Sequence, residues 1–381
     1  IAGQTITMEE SNNDYSISFC TVSMNRLHHI KETLPKNISD NIGGVNIEFV
    51  ILDYNSSDGL GEWMKENMGA WIGNGLVAYY RTQDREDFDR AHSRNMAFRL
   101  SKGDIICNID ADNFTGRDFA AYLKREFSDN SNMFLCAGDV HGKDANSNVL
   151  GRISMLRRDF ILTEGFDELM RNYGFEDQDL INRLERAGRT KRIITEPLFL
   201  RSINHKVDER IENEYLYKNL RFLFVNYINP SVSELLFLLK NGSFVQGRLV
   251  NNHTINADRK EFALTDEKHL YEFSLMDDTL IHGSFSKIEE GFLMYKEYSP
   301  EVLKYNPLLK AYEPAGNESA GLFYMITDQD MIREAVFFFS QIANRIKMTF
   351  NSENGSVAVN NSCYGKGTAY KNFDLENPVI L

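Results

Sequence analysis

A chain of 381 residues, 42% hydrophobic and 12% aromatic, is long for one compact core, so two domains are expected. Its net charge of −13 argues against nucleic-acid binding, because neutralising phosphates takes a basic stripe that this sequence lacks. No run of about 18 apolar residues offers a membrane-spanning helix, and the polar segment 1–13 has no apolar stretch of the kind that directs secretion. Ile1 is an unusual natural start, so residues 1–14 are expected to be disordered or foreign to the natural chain, and a lost upstream anchor stays open. Cys20, Cys107, Cys136 and Cys363 have no zinc-like spacing, and three of them sit in apolar strand-like runs. They read as reduced structural thiols in a cytoplasmic protein.

Along the chain, strand and helix signals alternate. Tyr15–Val22 reads as a strand and Arg26–Leu34 as a helix. Asn46–Asp53 is a second strand, closed by the turn-rich Tyr54–Gly59. A helix at Leu60–Met68, a strand at Leu76–Arg81, a helix at His92–Leu100 and a buried strand at Asp104–Ile109 follow. Such alternation predicts a mainly parallel sheet covered by helices on both faces, with ligands beyond the carboxyl ends of the strands. Asp53 and the pair Asp110 and Asp112 fall at those ends. The first domain is therefore expected over 15–229.

The character changes near residue 230. Glu212–Ile228 reads as an aromatic-rich helix stopped at Pro230, and short alternating segments follow at 244–250, 262–265, 269–275, 279–286 and 291–297. They predict an antiparallel meander, then a helix over Asp328–Arg345 and an Asn/Gly-rich end. Residues 230–381 are thus expected to form a smaller β-rich α+β domain. The apolar stretches Leu216–Ile228 and Phe337–Phe339 read as core before peripheral membrane contact. Oligomerisation stays open.

Two acidic groups carry the chemistry. On an extended strand, residues two apart face the same way, so Asp110 and Asp112 are expected to face one ion. Hard oxygen donors of this kind suit Mg2+ or Mn2+. The second group, Glu176-Asp177-Gln178-Asp179, opens a helix that runs through Ala187 and stops at Gly188. Leu180, Ile181, Leu184 and Ala187 form its apolar stripe. Glu176 and Asp177 extend the inward side, whereas Asp179 is expected on the more exposed side with Arg183 and Arg186. Acidic residues in a first turn also complement the helix dipole. That explains any one of these carboxylates, and explains two inward ones behind a Gly-containing loop less well.

Taken in order, Thr21-Val-Ser-Met-Asn-Arg26, Leu52-Asp53 with Ser57-Asp58-Gly59, Ser93-Arg94-Asn95, Asp110-Ala-Asp112 and Gly174-Phe-Glu-Asp177 resemble the landmarks of GT-A-fold glycosyltransferases of the family 2 type. Tyr173–Asp179 is also similar to the Trp-Gly-Gly-Glu-Asp-Asp-Asp segment of β-1,4-galactosyltransferases. The resemblance spans roughly residues 15–210 and implies a Rossmann-like GT-A sheet. It places Thr21 and Arg26 near the nucleotide, Asp53 on the uracil edge, Arg94 toward the donor and Asp110 by the ribose or donor sugar. Asp112 would ligate the metal, with His205 where the galactosyltransferases carry a histidine ligand. Asp177 would be the catalytic base, and Tyr173, Glu176 and Asp179 would meet the acceptor. Tyr173, Phe175 and Asn113 depart from the family pattern, which bears on donor and acceptor identity more than on reaction type.

The implied reaction is transfer from a UDP-sugar to a saccharide or glycolipid hydroxyl by direct displacement, with inversion. A glycoside hydrolase would use two carboxylates across the scissile bond and would not need Asp53 or Asp110 and Asp112 at strand ends. A sugar nucleotidyltransferase would need a Gly-rich basic phosphate loop that is missing near the N-terminus. A non-catalytic carbohydrate-binding protein would bind glycans and release no nucleoside diphosphate.

Overall fold

A computed structural model describes residues 14–138, 149–204, 208–229, 232–250, 280–296, 300–316 and 321–381. The chain divides into two compact units. The first holds residues 1–169, 176–205 and 351–381, and the second holds 170–175 and 206–350. This corrects the expected boundary at residue 229. The strand that begins at Leu220 already belongs to the second unit, and the last thirty or so residues return to the first.

The first unit is built on β1 (Ile17–Ser23), β2 (Ile47–Tyr54), β3 (Val77–Thr82), β4 (Ile105–Asn108), β5 (Asn113–Phe114), β6 (Met133–Cys136), β7 (Ile153–Leu156), β8 (Thr190–Ile193) and β9 (Arg201–Ser202). Strands β1, β2, β3 and β4 pair in parallel, and β4 and β6 flank an antiparallel β7. Their runs are apolar on both sides because both sheet faces are covered. Phe19, Phe49 and Ile51 join one core, while the intervening Cys20, Val50 and Leu52 join the other. The register sets Ser23 beside Asp53 and Asp53 beside Arg81, so the carboxyl ends of three strands form one edge. The returning tail adds Thr368–Lys371 antiparallel to β3, and Val379–Ile380 antiparallel to Thr368–Lys371 at the sheet edge. The three cysteines read as strand residues are buried in β1, β4 and β6, and Cys363 is exposed.

In the second unit, β10 (Leu220–Asn229), β11 (Val232–Leu239), β12 (Ser243–Val250), β13 (Ile281–Ile288), β14 (Gly291–Tyr295), β15 (Pro300–Asn306), β16 (Ala311–Pro314) and β17 (Phe323–Ile326) close into an antiparallel barrel. The expected meander is therefore correct but closed, because β10 pairs with β17. The expected helix over 212–228 is a short helix, Tyr215–Asn219, followed by β10. Phe222 and Phe224 point into an aromatic cluster drawn from all eight strands, while Leu223 and Val225 face the helix Gln329–Glu353. Both sides of β10 are buried, so its sequence shows neither period clearly. The segments at 262–265 and 269–275 lie outside the described residues. The stretches weighed against membrane contact are core over most of their length: Leu216, Leu223, Phe224 and Phe339 are buried, while Tyr227 and Ile228 at the end of the first are exposed. Among the described residues, no helix is long and apolar enough to cross a membrane.

Candidate active site

The helix Arg90–Leu100 lies on β1 and β2 and is buried along almost its whole length. Asp89 caps its start, accepting from the His92 amide at 3.0 Å. Ala91, Met96, Ala97 and Phe98 fill the core, which leaves Arg94 aimed across the carboxyl end of the sheet. Its guanidinium has five donors and no acceptor. Nη1 donates to Asp177 Oδ1 at 2.7 Å and to Glu176 Oε1 at 3.1 Å, and Nη2 donates to Asp110 Oδ1 at 3.0 Å. Arg94 thus joins three other sequence-predicted residues, Asp110, Glu176 and Asp177, in one cluster.

The three carboxylates differ in access. The side chains of Asp110 and Asp177 are 29% and 21% exposed, whereas that of Glu176 is 5% exposed. Glu176 Oε2 is buried and has no hydrogen-bond partner among the described residues. Three acids around one guanidinium leave an excess of negative charge. Burial first, then Glu176 and Asp110, push the Asp177 carboxyl up to about 7 against the pull of Arg94. At Asp110, burial is outweighed by Arg94 and by hydrogen bonds from Asn108 and Arg94, which hold its carboxyl below the usual range.

Asp110 and Asp112 do not lie on an extended strand. β4 ends at Asn108, and the Asn113 amide donates to the Asp110 carbonyl at 2.9 Å, closing a turn. The strand pleat therefore does not bring the two carboxylates together, because the backbone reverses between them. Asn108 Nδ2 holds Asp110 Oδ1 at 2.9 Å, and Asn113 Nδ2 holds Asp112 Oδ1 at 2.9 Å. Gly151 lies so close that a Cβ there would sit 2.5 Å from Asp110 Oδ2 and 2.9 Å from Arg94 Nη2. Gly151→Ala is accordingly expected to lower activity at least tenfold by displacing that pair, checked by initial rates at saturating donor.

The nucleotide-side candidates form a second group at the ends of β1 and β2. Asp53 is fully buried, accepting from the Ser56 amide and from Tyr79 Oη, each at 2.7 Å. Burial raises its carboxyl despite those bonds. It organises the loop that follows β2. That loop is laced to the end of β1: Ser57 N donates to Asn25 Oδ1 at 2.8 Å, and Leu27 N to Asp58 Oδ2 at 2.7 Å. Thr21 is buried in β1, and Arg26 occupies the N-cap position of the helix Leu27–Asn41 without a side-chain cap, its Nη1 donating to the Asn25 carbonyl at 3.2 Å.

Asp179 corrects the expected helix phase. It and Arg183 are both 0% exposed, and Arg183 Nε meets Asp179 Oδ2 at 2.6 Å. Asn351 donates to Asp179 Oδ1 at 3.0 Å, so both oxygens are engaged inside the fold and the acceptor role is withdrawn. An i,i+4 acid–base pair can be buried as a unit where either member alone could not. Arg183→Met is expected to destabilise the protein by about 3–5 kcal/mol, read as a large drop in melting temperature. The specific activity of the folded protein should change little.

Tyr173 belongs to the second unit, where its ring packs 4.9 Å from Phe337 and its hydroxyl accepts from Arg210 at 2.9 Å. Phe175, where the family has a glycine, holds a left-handed φ of 66°. For a residue with a side chain that conformation costs about 1–2 kcal/mol. His205 lies outside the described residues.

Residues 18–184 match the family model "Glycosyl transferase family 2". The match covers less than half of the chain, and the mostly parallel, helix-covered sheet that carries it is GT-A-like. The matched residues span both the loops at the ends of β1 and β2 and the Arg94 cluster. No curated protein sequence matches the chain. Among solved structures, it is similar to the mannosyltransferase PcManGT from Pyrobaculum calidifontis in complex with GDP-Man and Mn2+ (18% identity, TM-score 0.42), over 50% of this chain and 58% of that one. It is also similar to TarS from S. aureus in complex with UDP-GlcNAc (13% identity, TM-score 0.37), over 52% of this chain and 64% of that one. The chain thus covers less than two thirds of either structure.

Three residues near Arg94 and the Asp110 turn carry no role in the sequence alone: Asn95, there only as part of the Ser93-Arg94-Asn95 landmark, Gly151 and Arg152. Asn95, next to Arg94, brackets Phe166 through its backbone, with Oδ1 accepting from the amide at 2.8 Å and Nδ2 donating to the carbonyl at 2.9 Å. Gly151 and Arg152 follow a segment with no motif, and nothing local in the sequence marks them.

Proposed function

We propose that the protein transfers a sugar from a UDP-sugar to a saccharide or glycolipid hydroxyl with inversion, Asp177 being the base. A hexose or N-acetylhexosamine is the sugar class that the resemblance favours. The observation that carries this reading is the asymmetry around Arg94. Asp110 and Asp177 are both open, but Asp110 is held below the usual carboxylate range while Asp177 is pushed up to about 7, and Glu176 is closed. A base poised near the working pH combines a useful ionised fraction with real proton affinity. Asp177 would take the proton of the attacking hydroxyl, and Arg94 would hold the carboxylate in place.

Asp110, held ionised by Arg94, would meet the donor sugar or ribose, and the loops carrying Thr21, Arg26 and Asp53 would hold the nucleotide. The hard oxygens of Asp112, oriented by Asn113, fit a divalent cation such as Mn2+ or Mg2+. The resemblance adds His205 as a second ligand. Such an ion, when bound, offsets charge on a leaving diphosphate.

A panel of nucleotide-sugars, scored for nucleoside diphosphate release with Mn2+ and with chelator, tests the proposal. Release from a UDP-sugar that requires both metal and acceptor is expected. Release that ignores the chelator would remove the metal from this reading. Glycan cleavage without any nucleotide-sugar would replace it with hydrolysis.

The pH profile adds a signed check. Because Asp177 acts ionised, kcat/KM should fall about tenfold per pH unit below roughly pH 7 and level off above it. Glu176 raises the Asp177 pKa and Arg94 lowers it. Glu176→Gln should therefore move the acid limb down in pH, and Arg94→Met should move it up.

A further inference from the structure

Arg152 is 0% exposed and stands beside the turn that carries Asp110 and Asp112. Its Nη2 donates to the Phe114 carbonyl at 2.9 Å and to Asn113 Oδ1 at 3.3 Å. Its Nε and Nη1 have no hydrogen-bond partner among the described residues. The plane of Phe119 lies beneath it, with the guanidinium carbon 5.5 Å from the ring centre. A buried guanidinium with two nitrogens unpartnered among the described residues is a poor stabilising device, since desolvating the charge costs more than these contacts return. Burial indeed pulls its pKa down to about 10, against the opposing pull of Cys107, Asp110 and Asp112. Such a residue asks for a role other than stability.

The hydrogen-bond directions suggest that role. A guanidinium only donates, so the Asn113 atom that it touches must be the amide oxygen. That leaves the Asn113 NH2 to face Asp112, where it donates to Oδ1 at 2.9 Å. The two contacts set which way the amide points, and the amide sets which oxygen of Asp112 is engaged. Asn113 is itself held at its backbone, since its carbonyl accepts from Asn37 Nδ2 at 3.0 Å and its amide closes the Asp110 turn.

We propose that Arg152 is a positioning residue for cation binding, acting through the amide of Asn113 to aim the Asp112 carboxylate. This rests on the reading that Asp112 holds the divalent cation. It also accounts for an asparagine directly after the acidic pair: an apolar side chain there could neither accept from Arg152 nor donate to Asp112.

The test is direct Mn2+ binding to the full chain, followed by the electron paramagnetic resonance signal of the free ion, with a thermal melt of every variant. Asp112→Asn should abolish specific Mn2+ binding. Arg152→Met, Arg152→Lys and Asn113→Ala should each weaken it roughly 10–100-fold, the range found for partners that orient metal ligands. The double variant Arg152→Lys/Asn113→Ala should bind no worse than the weaker single variant, because both act on one path. If Arg152→Met fails to fold, Arg152→Lys and Asn113→Ala still decide, since the first keeps a buried cation and the second keeps the arginine. If Asp112→Asn loses Mn2+ while folded Arg152→Lys and Asn113→Ala bind it as the parent does, Arg152 is only structural and the inference is overturned. If Asp112→Asn itself binds Mn2+ normally, the assignment of Asp112 fails instead.

Discussion

Asp177→Asn should lower kcat by roughly 10²–10⁴-fold, the usual contribution of a positioned general base, while nucleotide affinity changes little. The substitution is nearly isosteric, and an asparagine carbonyl can still accept from Arg94 Nη1, which donates to Asp177 Oδ1 at 2.7 Å. What it removes is the proton acceptor. A second consequence separates this loss from misfolding. Folding raises the Asp177 pKa from the ordinary carboxylate range to about 7. A carboxyl so raised is penalised only once it ionises, so its cost to the fold grows as pH rises through that window and is complete above it. Asp177→Asn removes that cost. The variant should therefore melt no lower than the parent at pH 8, and higher if the penalty is large. An inactive protein of undiminished stability marks a residue kept for chemistry.

Arg94→Met should produce the opposite pattern, with activity and stability lost together. Asp110, Glu176 and Asp177 would be left around an empty centre, two of them largely enclosed by protein. Breaking a buried ion pair by deleting one partner costs about 3–5 kcal/mol, because the other charge stays buried and uncompensated. Here one deletion strands three. Arg94→Lys should recover part of the stability and little of the activity, since an ammonium is a point charge and cannot span three acceptors as a planar fork does. Melting curves and steady-state rates on the same preparations check both statements. A fully active Arg94→Met would mean that the cluster does not organise the site.

Much of the first unit was legible from sequence, because parallel strands buried on both faces are near-continuous apolar runs that Gly- and Asn-rich turns delimit. Asp53 at the end of β2 and Asp177 opening a helix could be placed by counting along those elements. Three features could not be placed that way. The Asp110–Asp112 turn reads as strand because the apolar run before it carries no break signal. Asp179 and Arg183 look like an exposed i,i+4 pair, and only the packing of residues 163–165 and Asn351 around them makes the pair internal. β10 reads as a helix because both of its faces are buried, so the period-2 pattern of a half-exposed strand is missing. Arg152 was invisible for a related reason. A single arginine just before an apolar strand gives no local sign of which turn, over 30 residues away in sequence, it supports.

The central claim is a single displacement by the acceptor hydroxyl, with the Asp177 carboxylate as its base. Its most direct test is to follow a turnover by proton NMR, starting from an α-linked UDP-sugar, Mn2+ and an accepted saccharide. It predicts a β-anomeric product from the first turnovers, formed in step with UDP. An α-linked product would contradict it, because retention needs a second displacement or a different nucleophile.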